Sequence, residues 1–112
     1  MNDEIQEQEI WLATFPFEED SSKVKKRPVA ILDASDPNEV LCVKVTTAKP
    51  RDQYDTSIEK WAEADLDFPS TARSSKFQMM DRKKLRKKIG VMHFDDYKEV
   101  MKKFMMYVED HR

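Results

Sequence analysis

The residues best suited to chemistry are a basic turn feeding a strand, Lys25-Lys26-Arg27-Pro28-Val29-Ala30-Ile31-Leu32, and a second strand ending in paired hydroxyls, Val43-Lys44-Val45-Thr46-Thr47. A fixed guanidinium and a nearby hydroxyl can hold a phosphate without a metal or a nucleotide loop, because the planar fork binds two oxygens and stays charged. Each residue taken alone also has a plain structural reading. An Arg before Pro at a strand start serves as a solvated surface charge, and Thr46 and Thr47 are β-branched residues that strands favour. Lys49 and Arg51 follow in the next loop, where a substrate backbone can pass or solvent can surround them. The run Lys23, Lys25 and Lys26 beside Arg27 is either a clamp for a polyanion or an acidic protein segment, or a solvated face.

Other chemistry-bearing types are sparse. His93 and His111 invite a nuclease reading through general acid–base work, but both lie late in the chain and fit surface or boundary positions. Asp95 and Asp96 lack metal-ligand spacing and suit a helix start, through capping and the helix dipole. No metal or other cofactor is expected. The single cysteine, Cys42, excludes an intramolecular disulfide and sits in an apolar strand pattern as a small hydrophobe. Met79, Met80, Met92, Met101, Met105 and Met106 read as core and interface filler.

These residues must be positioned by short strands. Ile10 to Phe15 reads as a first strand closed by Pro16, and 18–26 as a charged mobile loop. Pro28 opens the next strand, where a missing amide donor is tolerated. Val29 to Leu32 and Val40 to Thr47 form a hairpin around Asp33-Ala34-Ser35-Asp36-Pro37-Asn38. Ser57 to Ala64 suggests a short helix capped by Ser57 or Thr56 and anchored by Trp61 and Leu66. Ser70 to Met80 is a further strand, Asp81 to Leu85 a basic turn, and Lys88 to Met92 a last strand. Tyr97, Val100, Met101, Phe104, Met105 and Val108 then recur at the spacing of one helical face. Strands followed by one packed helix give an α+β domain, most economically a small closed sheet or barrel.

The bulk numbers agree with one domain spanning 1–112, with a modest core that a second copy would reinforce. Charged residues are 38% of the chain, yet the formal net charge is only −2, so any nucleic-acid site must be a local patch. No apolar stretch resembles a signal peptide or spans a bilayer, which places the chain in a reducing cytoplasm with no membrane partner.

In order along the chain, these segments resemble the MazF/PemK family of toxins. The resemblance runs through Glu9 to Phe17 with its Phe-Pro ending, Lys26-Arg27-Pro28-Val29, Val43 to Thr47 and Pro50 to Asp55. It continues through Trp61 to Leu66, Pro69 to Lys76, Lys88-Ile89-Gly90 and the terminal helix, from about residue 9 to about residue 105. It implies an SH3-like β-barrel, as in CcdB and PemK, with a C-terminal amphipathic helix. It also implies a homodimer and metal-independent cleavage of single-stranded RNA at a short sequence motif. A cognate antitoxin would block the groove, and DNA would be met only indirectly, through that antitoxin. Catalysis in the family falls on positions matching Arg27 and Thr46; Lys25, Lys26, Thr47, Lys49, Arg51, Ser74, Ser75 and Lys76 are the expected substrate contacts. Three features depart from the family pattern: a first loop without glycines, Asp65 where Gly is common, and the strand Arg73-Ser74-Ser75-Lys76. A non-cleaving protein of the same fold stays open beside the nuclease, either a CcdB-like gyrase inhibitor or a degenerate antitoxin-binding domain.

Overall fold

The computed structural model describes residues 4–16 and 24–112. Its elements are β1 (Glu9–Pro16), β2 (Val24–Asp33), β3 (Glu39–Thr46), β4 (Asp55–Ile58), β5 (Ser70–Asp81), β6 (Leu85–Val91) and helix α1 (Phe94–Asp110). The strands form one antiparallel sheet in the order β4-β5-β3-β2-β1-β6. The α+β class therefore stands, but the barrel is a loose one, since no ladder joins β4 to β6. The turn after β4 covers the opening. Gly90 of β6 lies so close to it that a Cβ would penetrate the Ala64 carbonyl. Asp65, beside that contact, adopts the left-handed conformation with φ 63, which explains why glycine suits this position.

Alternation along the strands builds a core on each face of the sheet. Ile10, Ala30, Leu32, Val43, Val45 and Ala72 point toward α1, where Val100 is buried and Tyr97, Met101 and Phe104 pack against them. Trp11, Ala13, Val29, Ile31, Val40, Cys42 and Met80 form the opposite cluster. Cys42 is a core residue as expected; burial pushes its thiol up to about 12. No helix among the described residues is long and apolar enough to cross a membrane.

Several sequence expectations are corrected. Ser57 to Ala64 is not a capped helix: Thr56 and Ser57 belong to β4, and only a helical turn follows, with the Ala64 amide donating to the Lys60 carbonyl at 3.2 Å. Its cap comes from far along the chain, as the buried Asp96 carboxylate accepts from the Glu59 and Lys60 amides at 3.1 and 2.9 Å. With Asp96 so engaged, His93 caps α1 through Nδ1, accepting from the Asp95 amide at 3.1 Å. Pro28 lies inside β2, not at its start; β3 pairs with β2 only from Val29 onward, so Pro28 has no β3 partner that needs its donor. The last strand begins at Leu85. Met105 and Val108 share the helical period of the core residues but stay exposed, as does Met79. The expected loop lies mostly outside the described residues, and 24–26 is already strand.

The Gly90 contact yields a test. Gly90→Ala should destabilise the fold by about 3 kcal/mol, read from the midpoint of a urea transition, because the Ala64 carbonyl must move to admit the methyl. An unchanged midpoint would show that the turn after β4 yields freely.

Candidate active site in a strand fork

The first candidate residue, Arg27, lies on β2 opposite Ala13 of β1, and its side chain is exposed. Thr46 ends β3. The β2–β3 ladder starts at the pair Val29↔Lys44 and does not reach either of them. Past that pair the two strands separate, β2 remaining on β1 and β3 remaining on β5. The register carried two residues further sets Arg27 across from Thr46, and period-two alternation puts Arg27, Lys44 and Thr46 on one face.

A cleft of about 680 Å³ opens in this fork. Arg27 of β2 and Lys44, Thr46 and Thr47 at the end of β3 line it, with Lys87 and Lys88 of β6 and the segment Asp65 to Phe68 around them. Thr46 Oγ1 accepts from the Ala48 amide at 3.2 Å, which leaves the hydroxyl proton for an incoming oxygen. The arrangement can hold a phosphate between a permanent cation and a hydroxyl donor. Among the described residues, no group of His, Cys, Asp and Glu is arranged to bind a metal.

The remaining predicted contacts divide. Thr47 lines both this cleft and a neighbouring hollow of about 290 Å³ that Lys49 also borders. Lys25 and Lys26 are exposed on β2, opposite Phe15 and Thr14, and line neither. Ser75 and Lys76 lie on β5 outside both as well. Ser74 is a correction: it is fully buried, its hydroxyl donating to the Val100 carbonyl of α1 at 3.1 Å. The cause is a bulge. Val43 opposes Phe77 but the next residue, Lys44, opposes Arg73, so residues 74–76 are looped out of the ladder and alternation fails there. Ser74 instead gives its amide to the Tyr54 carbonyl at 3.2 Å.

Arg73 is the buried residue that organises the loop. Its Nε meets Asp55 Oδ2 at 3.2 Å, with both side chains shielded from solvent. Its Nη2 donates to the Lys49 carbonyl at 3.3 Å, and Asp55 Oδ2 also accepts from the Arg51 amide at 2.9 Å. Lys103 of α1 donates to the Asp55 carbonyl at 2.9 Å. The loop bearing Lys49 and Arg51 is therefore bound at two points to a buried ion pair directly beside Lys44.

Lys44 is the site residue that sequence reading missed. Lys44 is exposed at the cleft, yet desolvation by the surrounding protein, then the charges of Arg73, Arg27, Lys76 and Arg51, hold its ammonium below the usual lysine range. The available signal was a lone lysine two residues before Thr46 in an otherwise apolar strand.

Truncating one member of the buried pair leaves the other charge stranded. Asp55→Ala should cost about 3–5 kcal/mol in a denaturation experiment, whereas Asp55→Leu combined with Arg73→Met should recover most of it. A loss below about 1 kcal/mol would place the pair among weak surface bridges.

No curated protein matches the chain. The fold is shared with several solved structures. A mycobacterial endoribonuclease in complex with its cognate antitoxin aligns with TM-score 0.79 at 8% identity, over 95% of this chain and 96% of that one. MazF in the MazE–MazF structure from Deinococcus radiodurans aligns with TM-score 0.78 at 12% identity, over 96% and 98%. The Mycobacterium tuberculosis toxin MazF-mt6 aligns with TM-score 0.69 at 16% identity, over 88% and 96%. The sequence pattern of the PemK-like, MazF-like toxins of type II toxin–antitoxin systems matches residues 6–108, and the chain belongs to that family.

Proposed function

We propose that this protein is an endoribonuclease toxin that cleaves single-stranded RNA at a short sequence motif without a metal, and that a cognate antitoxin silences it. The observation that carries the reading is the meeting of Arg27 and Thr46, from two strands, at one cleft. RNA brings its own nucleophile: the 2′-hydroxyl attacks the adjacent phosphorus, giving a 2′,3′-cyclic phosphate and a 5′-hydroxyl end. Arg27 offsets the charge that grows on the non-bridging oxygens, and Thr46 donates to one of them or orients the attack. Thr47, Lys49 and Arg51 follow the substrate backbone away from the cut.

The antitoxin assignment draws on family membership and on fold relatives solved with their antitoxins. A homodimer belongs to the same proposal, supported by the exposed apolar side chains Met79, Met105 and Val108.

The test is cleavage of a long single-stranded RNA in EDTA, with the ends mapped. Discrete cuts with cyclic-phosphate ends are expected from the wild type, reduced about 10²–10³-fold by Arg27→Ala and to a smaller degree by Thr46→Ala. Loss of cutting in EDTA would refute metal independence. Absence of cutting on every RNA, together with inhibition of gyrase, would replace the reading with that of a binding toxin.

A further inference from the structure

We propose that Lys44 is the general base of this site, its neutral amine accepting the 2′-hydroxyl proton as the 2′-oxygen attacks phosphorus. The inference rests on the ribonuclease reading and fills the role that Arg27 and Thr46 leave empty. Arg27 does not give up its proton, and a threonine hydroxyl has no useful basicity. Neither histidine is near: His93 caps α1, and His111 stacks on Tyr107 at the far end of that helix.

The position of Lys44 suits the task. It stands two residues before Thr46 on the same strand face, opposite Val29, and borders the cleft that Arg27 and Thr46 share. Among the described residues no carboxylate pairs with it, whereas Lys88 is held by Glu9 at 3.1 Å and Lys98 by Asp95 at 3.8 Å. Every element around it contributes charge. Arg27 comes from β2, Arg73 and Lys76 from β5, and Arg51 from the loop. Across the cleft, Asp65 and Asp67 stand on the turn and Lys87 and Lys88 on β6. Asp55, the nearest acid along the ladder, is already committed to Arg73. The cationic neighbours and the desolvation at the cleft edge favour the neutral amine, the form a base requires.

The step balances. The amine takes the 2′-hydroxyl proton, the 2′-oxygen bonds to phosphorus, and the bond from phosphorus to the 5′-oxygen breaks. The leaving oxygen takes a proton from water, and the hydroxide so formed removes the proton from the Lys44 ammonium. Cleavage should therefore rise with pH as Lys44 loses its proton, then level off.

The decisive variant is Lys44→Arg, which keeps the charge and removes the base. It should bind a non-cleavable 2′-deoxy oligonucleotide within about threefold of the wild type. It should also cleave about 100-fold more slowly and lose the rising limb of the pH profile. Lys44→Cys alkylated with bromoethylamine restores an amine of lower basicity. It should regain activity with the limb moved to lower pH, while the buried Cys42, with its thiol pushed up to about 12, stays unmodified. This second protein decides the matter if Lys44→Arg folds poorly. Wild-type cleavage matched by Lys44→Arg at every pH would overturn the role of Lys44 and leave the ribonuclease reading intact. A wild type that cleaves no RNA would overturn both. An NMR titration of wild-type Lys44 that runs with the surface lysines would overturn the base assignment alone.

Discussion

The buried contact between Arg73 and Asp55 sets the geometry around it. β4 is only four residues long and lies at the sheet edge, where hydrogen bonds on one side alone would hold it weakly. The ion pair ties it to β5 and, through the Lys49 carbonyl and the Arg51 amide, ties the preceding loop to both. Burial makes the arrangement costly as well as firm. Asp55 Oδ1 and Thr56 Oγ1 are buried with no partner among the described residues. Such a pair contributes less net stability than its Coulomb attraction suggests, because two charges have lost their hydration. Its return is position: the loop bearing Lys49 and Arg51 is held close to Lys44 and the hollow that Lys49 borders.

The fork itself follows from simple ladder physics. A strand between two neighbours normally has its donors and acceptors taken on both sides. Proline at position 28 removes one donor, and at that point β2 has lost β3 as a partner while keeping β1. β3 in turn continues on β5 to Thr46. Two strands that separate in this way leave a gap bordered by their side chains, and the chain places Arg27 on one bank and Thr46 on the other. The candidate site is thus a consequence of where the pairing stops, and both Arg27 and Thr46 are carried by strands.

Much of this was legible in the sequence because it depends on local pattern. The hairpin of β2 and β3, the strand closed by Pro16 and the helix period from Tyr97 to Phe104 all come from alternation, turn residues and 3.6-residue spacing. What stayed hidden depends on partners distant in sequence. The turn at 59–65 resembles a helix start until Asp96 is seen capping it from 36 residues away. Ser74 resembles a surface contact until the bulge at 74–76 reverses its direction. Met105 and Val108 obey the helical period, yet the sheet beneath α1 does not reach them. Arg73 was the hardest to read, since an arginine in a strand shows nothing of a buried carboxylate on another.

The same consideration explains how a chain of nearly neutral net charge could carry the proposed phosphate site. Acidic residues are numerous, but several are engaged in structure: Asp55 with Arg73, Asp96 with two backbone amides, Glu9 with Lys88 and the Trp11 indole, while Asp65 and Asp67 stand across the cleft on the turn. With Asp55 committed to Arg73, the groups acting on Lys44 from its own side of the cleft are cationic: Arg73, Arg27, Lys76 and Arg51. A polyanion approaching the cleft meets that local excess, while the rest of the surface, carrying both signs, gives it little reason to bind. Under the proposed reading, selectivity for the fork over the other basic patches is electrostatic in origin. It is set less by how many lysines and arginines the chain contains than by which carboxylates the fold has already occupied.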